Sequence, residues 1–288
     1  MSSPNGVMLR VLINRYHHST SDAPLKYLPK EYVKKVMALN VITDDPTPLL
    51  KAPEEELSNI HYSWLLPGIR HFPEKLQSSL IGSLPSLHAQ KIKNLIGVSH
   101  INDDTLIAPV RDFLLNKLLL QVKPQSILPI EYLPDNPVAF LSKKTKQELV
   151  EIIHFLGLYD LAESIRHIID KTFLQKLYKC LSNKQKQFLR TCLHQQEKIV
   201  TPRMEMSLWH GDCRKLDQML QRRGLLRLGK ALCGLHQDFA WYVAHILDTG
   251  RGSILLNHYS TDIAPGVSSR LVQQLVNLTN FLNSKAGT

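Results

Sequence analysis

The chain has no apolar run of the roughly 20 residues that a bilayer-spanning helix needs; its greasiest stretch, Phe113 to Val122, is interrupted by Asn116 and Lys117. A protein inserted in a membrane by a spanning helix is therefore not expected. A cleaved leader is not expected either, because the short apolar patch from Val7 to Ile13 contains Arg10 and runs into Arg15, His17 and His18, with no small-residue cleavage site. No C-x-x-C pair exists: the four cysteines, Cys180, Cys192, Cys213 and Cys233, lie 12, 21 and 20 residues apart among mostly apolar helical neighbours. That pattern predicts buried, reduced thiols and a reducing cytoplasm. Acidic residues are scarce, with 25 Asp plus Glu against 35 Lys plus Arg, and the net charge of +10 favours an acidic protein surface, anionic lipid or nucleic acid as partner.

Motifs of chemistry are equally sparse. There is no G-x-S-x-G, no complete P-loop G-x-x-x-x-G-K-[ST], no G-x-G-x-x-G and no H-E-x-x-H. Thirteen histidines are present, but His236 and His245 stand nine apart, His154 and His167 thirteen apart, and no Cys/His cluster forms. Trp209-His210-Gly211-Asp212 contains the H-G-D triplet of kinase-like phosphotransferases, yet position 217 is Asp where a metal-binding Asn is needed, and no glycine loop follows a strand. The triplet reads instead as a turn in which Asp212 caps a helix from Cys213 to Arg222 and Trp209 enters the core. No catalytic residue, metal, cofactor or small-molecule substrate is expected, and the chain reads as a docking protein rather than an enzyme.

What is present is helical. Residues 1–26 are polar and Ser-rich without helical periodicity, and are expected to be a disordered tail. An N-terminal helical subdomain, 27–122, follows as short helices: one opened by Pro29, then 54–66, 73–84 and 86–96. A further helix is capped by Asp104 or Thr105, with Leu106, Val110, Phe113, Leu114, Leu118 and Val122 on its buried stripe. Four prolines between Lys123 and Pro137 make 123–140 an extended connector rather than a helix. The C-terminal part, 141–288, has the strongest signals. Thr145 with Glu148 forms a capping box, Gly157 supplies a stop, and Asp160 with Glu163 opens the next helix toward Ile169. A third helix carries Phe173, Leu174, Leu177 and Tyr178, and Ser182 with Gln185 opens a fourth. Only Ser253 to Tyr259 has a strand-like composition. The last helix, Val267 to Leu282, aligns Leu271, Leu275, Leu278 and Leu282. The fold class expected is all-α: stacked short helices in two subdomains.

The candidate interface is one helix. At about 100° per residue, Leu225, Leu228, Ala231, Leu232 and Leu235 fall on one side while Arg222, Arg223, Arg227 and Lys230 gather on the other. From Arg214 to Lys230 there are six cations and one carboxylate, Asp217, beside the aromatic run Phe239, Trp241 and Tyr242. This is either a solvated face or a partner-binding surface formed by Arg222, Arg223, Arg227, Lys230 and Trp241. If it is a docking face, reversing Arg223 and Arg227 to Glu leaves the fold intact and abolishes capture. Arg251 either pairs with Asp248 at a helix end or reaches a partner's carboxylate bidentately. The helix pair at 145–169 has the length of a DNA-reading helix-turn-helix, but its second helix begins Asp160-Leu161-Ala162-Glu163 and would point carboxylates at phosphates, so no nucleic-acid partner is expected from it. A basic helical nucleic-acid-binding protein stays open as the alternative for the whole chain.

From about 145 to 260 the sequence resembles the SctK-type accessory proteins of bacterial type III secretion systems, and its stacked helices are similar to those of the flagellar switch protein FliG. The capped helices 145–193, the Trp209-His210-Gly211-Asp212 turn, and the segment from Arg223 through Trp241-Tyr242-Val243-Ala244-His245 to Leu247-Asp248-Thr249-Gly250-Arg251-Gly252 carry the likeness. The resemblance implies a non-enzymatic sorting-platform adaptor in the bacterial cytoplasm, peripheral at the inner membrane. It also implies an SctQ-type pod protein and an SctD-type ring protein as partners. The FliG helix mixes acidic and basic residues whereas 224–235 has only basic ones, and no Gly-rich hinge is present, so no rotary role is implied.

Overall fold

A computed structural model describes residues 4–17, 25–39, 45–97, 106–124, 126–166, 168–194, 204–206, 209–259 and 266–284. Among them the protein is all-α, with fourteen α-helices and no strand. The chain divides into two compact units, Met1–Asp135 and Asn136–Thr288, so the boundary falls inside the proline-rich stretch.

The first unit begins with a correction. Pro4–Tyr16 is a helix, α1, where a disordered tail was expected; it buries Val7, Val11 and Ile13 and packs on α2, Lys30–Met37, whose Val36 is also buried. Residues 1–3 and 18–24 lie outside the described residues. The apolar side chains between Val7 and Ile13 form one short patch between polar ends, and such a short helix owes its stability to packing rather than to propensity. Then come α3 (Pro53–Ser58), α4 (Leu66–Arg70), α5 (Glu74–Gly82), α6 (Ser86–Ile96) and α7 (Ala108–Val122). Leu57, Leu65, Ile69, Leu80, Ile81, Ile92, Leu115 and Leu118 are all fully buried.

Pro109 sits in the first turn of α7, where its missing N–H costs nothing. The caps proposed at Asp104 and Thr105 lie outside the described residues, and the N-cap position is Ile107. The buried stripe of α7 is Leu114, Leu115, Leu118 and Leu119, whereas Val110 and Phe113 are exposed, with Lys117 5.6 Å above the Phe113 ring. A helix apolar nearly all round does not reveal its inner face by periodicity. The proline-rich stretch runs as turns, one of them a 3-10 turn at Ile130–Tyr132. It buries Leu128, Tyr132 and Leu133, and the Tyr132 hydroxyl donates to the Asp45 carbonyl at 2.7 Å.

The second unit holds α8 (Lys146–Ile165), α9 (Lys171–Cys180), α10 (Asn183–His194), α11 (Cys213–Leu232), α12 (Gln237–Ile246), α13 (Thr249–His258) and α14 (Val267–Ser284). The capping boxes at Thr145/Glu148 and Ser182/Gln185 are both formed, as is the Asp212 cap, which accepts from the Arg214 N–H. Trp209 is buried and donates from Nε1 to the Asp212 carbonyl at 2.7 Å. α14 turns Leu271, Leu275, Leu278 and Leu282 inward.

Two boundaries differ from the sequence reading. α8 is one continuous helix through Gly157 and Asp160, and the strand-like segment Ser253 to Tyr259 lies almost wholly in α13, whose N-cap is Asp248. Gly157 is there for close approach, not for a stop. α8 crosses α11 so tightly that a Cβ on Gly157 would stand 2.3 Å from the Leu220 carbonyl oxygen, and one on Gly224 1.7 Å from that of Ile153. Gly229 plays the same part toward α13, with the Leu255 oxygen 2.8 Å from its Cβ position. Three bare helix surfaces thus let α11 sit at the centre of the unit, with α8, α13 and α14 around it.

Candidate functional site

The central position of α11 decides the fate of its cations. Being covered on several sides, it keeps only a narrow wet strip, and the four cations do not share one environment. Arg227 is 4% exposed and Asp160 2%, so two of the unit's charges are in the core. Arg227 donates from Nε at 2.8 Å and from a terminal nitrogen at 2.5 Å to Asp160 Oδ1, and from its other terminal nitrogen to Gln274 Oε1 at 2.7 Å. Its guanidinium lies 5.4 Å from the centre of the Tyr159 ring. Arg223 reaches the other oxygen of the same carboxylate from Nε at 2.5 Å. Neither arginine forms the exposed face expected of it. Asp160 is also not a helix cap: it is the internal anion that holds α8 to α11, with α14 joined through Gln274.

Arg222 and Lys230 lie outside that buried cluster. Arg222 is exposed and Lys230 half-buried on the outer side of α11 with half-buried Leu226 between them, and neither makes an ion pair among the described residues. His258 of α13 joins them; burial, then the fields of Lys230 and Arg222, push its imidazole below its ordinary pKa. Ile254 adds a partly exposed apolar side chain on α13. The outward patch therefore holds Arg222, Leu226 and Lys230 from α11, with Ile254 and His258 contributed by α13.

Arg251 pairs with Asp248, 2.6 Å away, and donates to Gln221 Oε1 at 3.0 Å. Lys146 reaches the same Asp248 at 3.1 Å, Gln221 donates to Asp217 at 3.3 Å, and His154 Nε2 stands 3.3 Å from Asp217 without hydrogen-bond geometry. This chain of polar groups ties α8, α11 and α13 together. Burial raises the Asp248 carboxyl, but hydrogen bonds from Arg251 and Lys146 outweigh it and hold the group well below the usual carboxylate range. Burial lowers His154, against the pull of Asp217. Among the described residues no group of three or more His, Cys, Asp or Glu is placed to hold a metal.

Trp241 is half-buried on α12, stacked on His245 at 4.0 Å between ring centres and edge-on to Tyr242 at 5.1 Å. His245 Nδ1 meets the Trp241 carbonyl at 2.7 Å. Burial depresses its pKa from 6.5 to about 4. A histidine held neutral in the fold stabilises it above its unfolded pKa, and that contribution drains away as pH falls from about 6.5 to about 4, reaching on the order of 3 kcal/mol. His154 and His258 are lowered as well and add to the same acid limb. Urea unfolding at pH 7.5, 6, 5 and 4.5 should show this decline, with a shallower one in His245→Gln; an equal slope in the variant removes His245 as a contributor.

The cysteines correct a second expectation. Cys180 and Cys213 form a disulfide across 33 residues, joining the C-terminal end of α9 to the first residue of α11, while Cys192 and Cys233 are free and buried. Spacing alone does not report that two chain positions so far apart meet, and with the bridge formed the cysteines no longer argue for a reducing compartment. Asp160 was missed for a different reason. Its capping-box spacing to Glu163 is genuine, but the surrounding Leu158, Tyr159, Leu161 and Ala162, buried on every side, marked an interior anion in need of arginines. No family model, curated protein or solved structure matches the chain.

Proposed function

We propose that the protein is a non-enzymatic helical adaptor of a bacterial type III secretion sorting platform, linking an SctQ-type pod protein to an SctD-type ring protein at the cytoplasmic face of the inner membrane. The partners and the place rest on the resemblance of residues 145–260. The observation that carries the docking reading is the split of the α11 cations: two are consumed inside, while exposed Arg222 and half-buried Lys230 flank Leu226 on the outer side without an ion pair among the described residues. Unpaired cations flanking partly exposed apolar side chains suit a partner surface that brings carboxylates around an apolar centre. α11 is held by α8, α13 and α14, so the patch is presented on a rigid support and little ordering entropy is lost on binding.

Co-purification with an SctQ-type and an SctD-type protein tests the reading. The native chain should retain at least one of them, and Arg222→Glu/Lys230→Glu should weaken that capture at least tenfold with an unchanged circular dichroism spectrum. Failure to retain either protein contradicts the secretion assignment. Retention indifferent to the double reversal contradicts this patch as the contact.

A further inference from the structure

The most lopsided charge in the sequence is carried by two other helices. From Lys171 to His194, the stretch forming α9 and α10, there are six lysine and arginine residues and no aspartate or glutamate. One, Lys184, pairs with Glu151 at 2.9 Å. The other five, Lys171, Lys176, Lys179, Lys186 and Arg190, make no ion pair among the described residues, and all but half-buried Lys186 are exposed. Nearby carboxylates are already engaged: Asp170 accepts from Thr172 and Phe173 as the cap of α9, Asp212 caps α11, and Glu163 pairs with Arg166. The basic surface continues onto the start of α11, where the disulfide seats exposed Arg214 beside the end of α9.

The two helices are joined by Leu181 and Ser182 alone. α10 is held by one side. Phe188, Leu189 and Cys192 are buried, and Phe188 packs edge-on against Phe155 and Tyr159 at 5.4 Å each. At about 100° per residue, Asn183, Lys186, Gln187, Arg190, Thr191 and His194 share the opposite side. That side has hydrogen-bonding amides, a hydroxyl, an imidazole and two cations, with no carboxylate and no apolar residue. An acidic protein partner would want an apolar centre, and a lipid surface would want apolar side chains to insert; this face has neither. Asn, Gln and Arg are the side chains that read base edges in the major groove, and a 12-residue helix, about 18 Å long, fits that groove.

We infer that α9 and α10 form a duplex-DNA-binding pair, with α10 lying in the major groove and Lys171, Lys176, Lys179, Lys186 and Arg190 neutralising phosphates. This goes beyond the adaptor reading and does not depend on it. The site differs from the pair at 145–169 that the sequence suggested and its acidic residues excluded.

Fluorescence anisotropy of a labelled 20-base-pair duplex, titrated with the full chain, tests it. Binding should be micromolar at about 50 mM salt and weaken with a log–log salt slope of about −3 to −5, near one unit per phosphate neutralised. Lys186→Glu/Arg190→Glu should weaken binding at least tenfold and flatten the slope by about two units at unchanged thermal stability. Arg222→Glu/Lys230→Glu should leave binding as it is, which separates this site from the adaptor patch. No binding at low salt, or binding indifferent to Lys186 and Arg190, overturns the inference. So does retention by vesicles of about 30% anionic lipid without retention by the duplex.

Discussion

Asp160→Ala should cost about 3–5 kcal/mol of unfolding free energy, the usual result of leaving buried cations without their anion. Arg227 has almost no access to water, and Arg223 gives its Nε to the same carboxylate, so both would lose their principal acceptor at once. Gln274 would still accept from Arg227, but a neutral amide does not offset a buried guanidinium. The loss therefore comes from stranded charge rather than from lost attraction. That distinction is testable, because replacing the whole triad by apolar side chains removes the stranded charge. Asp160→Leu/Arg223→Met/Arg227→Met should recover most of the loss, and urea midpoints of the two variants would show it. A triple variant as unstable as the single one would mean that the ion cluster contributes more than it costs to bury.

Gly224→Ala should be nearly as damaging, although alanine is the better helix former. Propensity alone favours Ala over Gly by about 1 kcal/mol within a helix. The added methyl would meet the Ile153 backbone oxygen at 1.7 Å, and a backbone carbonyl in the middle of α8 has no room to move aside. Forcing two helices apart costs about 1–3 kcal/mol and more where the obstacle is main chain, so the net sign is destabilising and the midpoint should fall. Gly250→Ala is the matched control. Its Cβ would lie 3.4 Å from Asp248 Oδ1, at the edge of ordinary contact, and it should be neutral or slightly stabilising. Equal effects at the two positions would contradict the tight α8–α11 crossing.

Local rules carried much of the fold. The reciprocal caps at Thr145/Glu148 and Ser182/Gln185, the Asp212 turn under Trp209, the Asp248–Arg251 pair and the leucine stripe of α14 depend on neighbours within four residues or one turn, and each was legible. Features that depend on a partner helix were not. Gly157 looks the same whether it ends a helix or admits another one, and Asp160 looks the same as a cap or as a core anion. Arg222, Arg223, Arg227 and Lys230 make one cationic face on a helical wheel, but a wheel assumes a single wet side. A central helix keeps only a narrow strip of surface, and the cations divide according to which neighbour carries Asp160. The Cys180–Cys213 link and the buried α1 likewise needed the tertiary arrangement.

Thermal unfolding of two charge-reversal pairs, followed by circular dichroism in the same buffer, tests that division of the α11 cations most directly. Arg222→Glu/Lys230→Glu should melt within about 2 °C of the native chain, as exposed substitutions do. Arg223→Glu/Arg227→Glu should melt far lower or fail to fold, because it places three carboxylates together in the core. Equal melting temperatures for the two pairs would contradict the division and return all four cations to the surface.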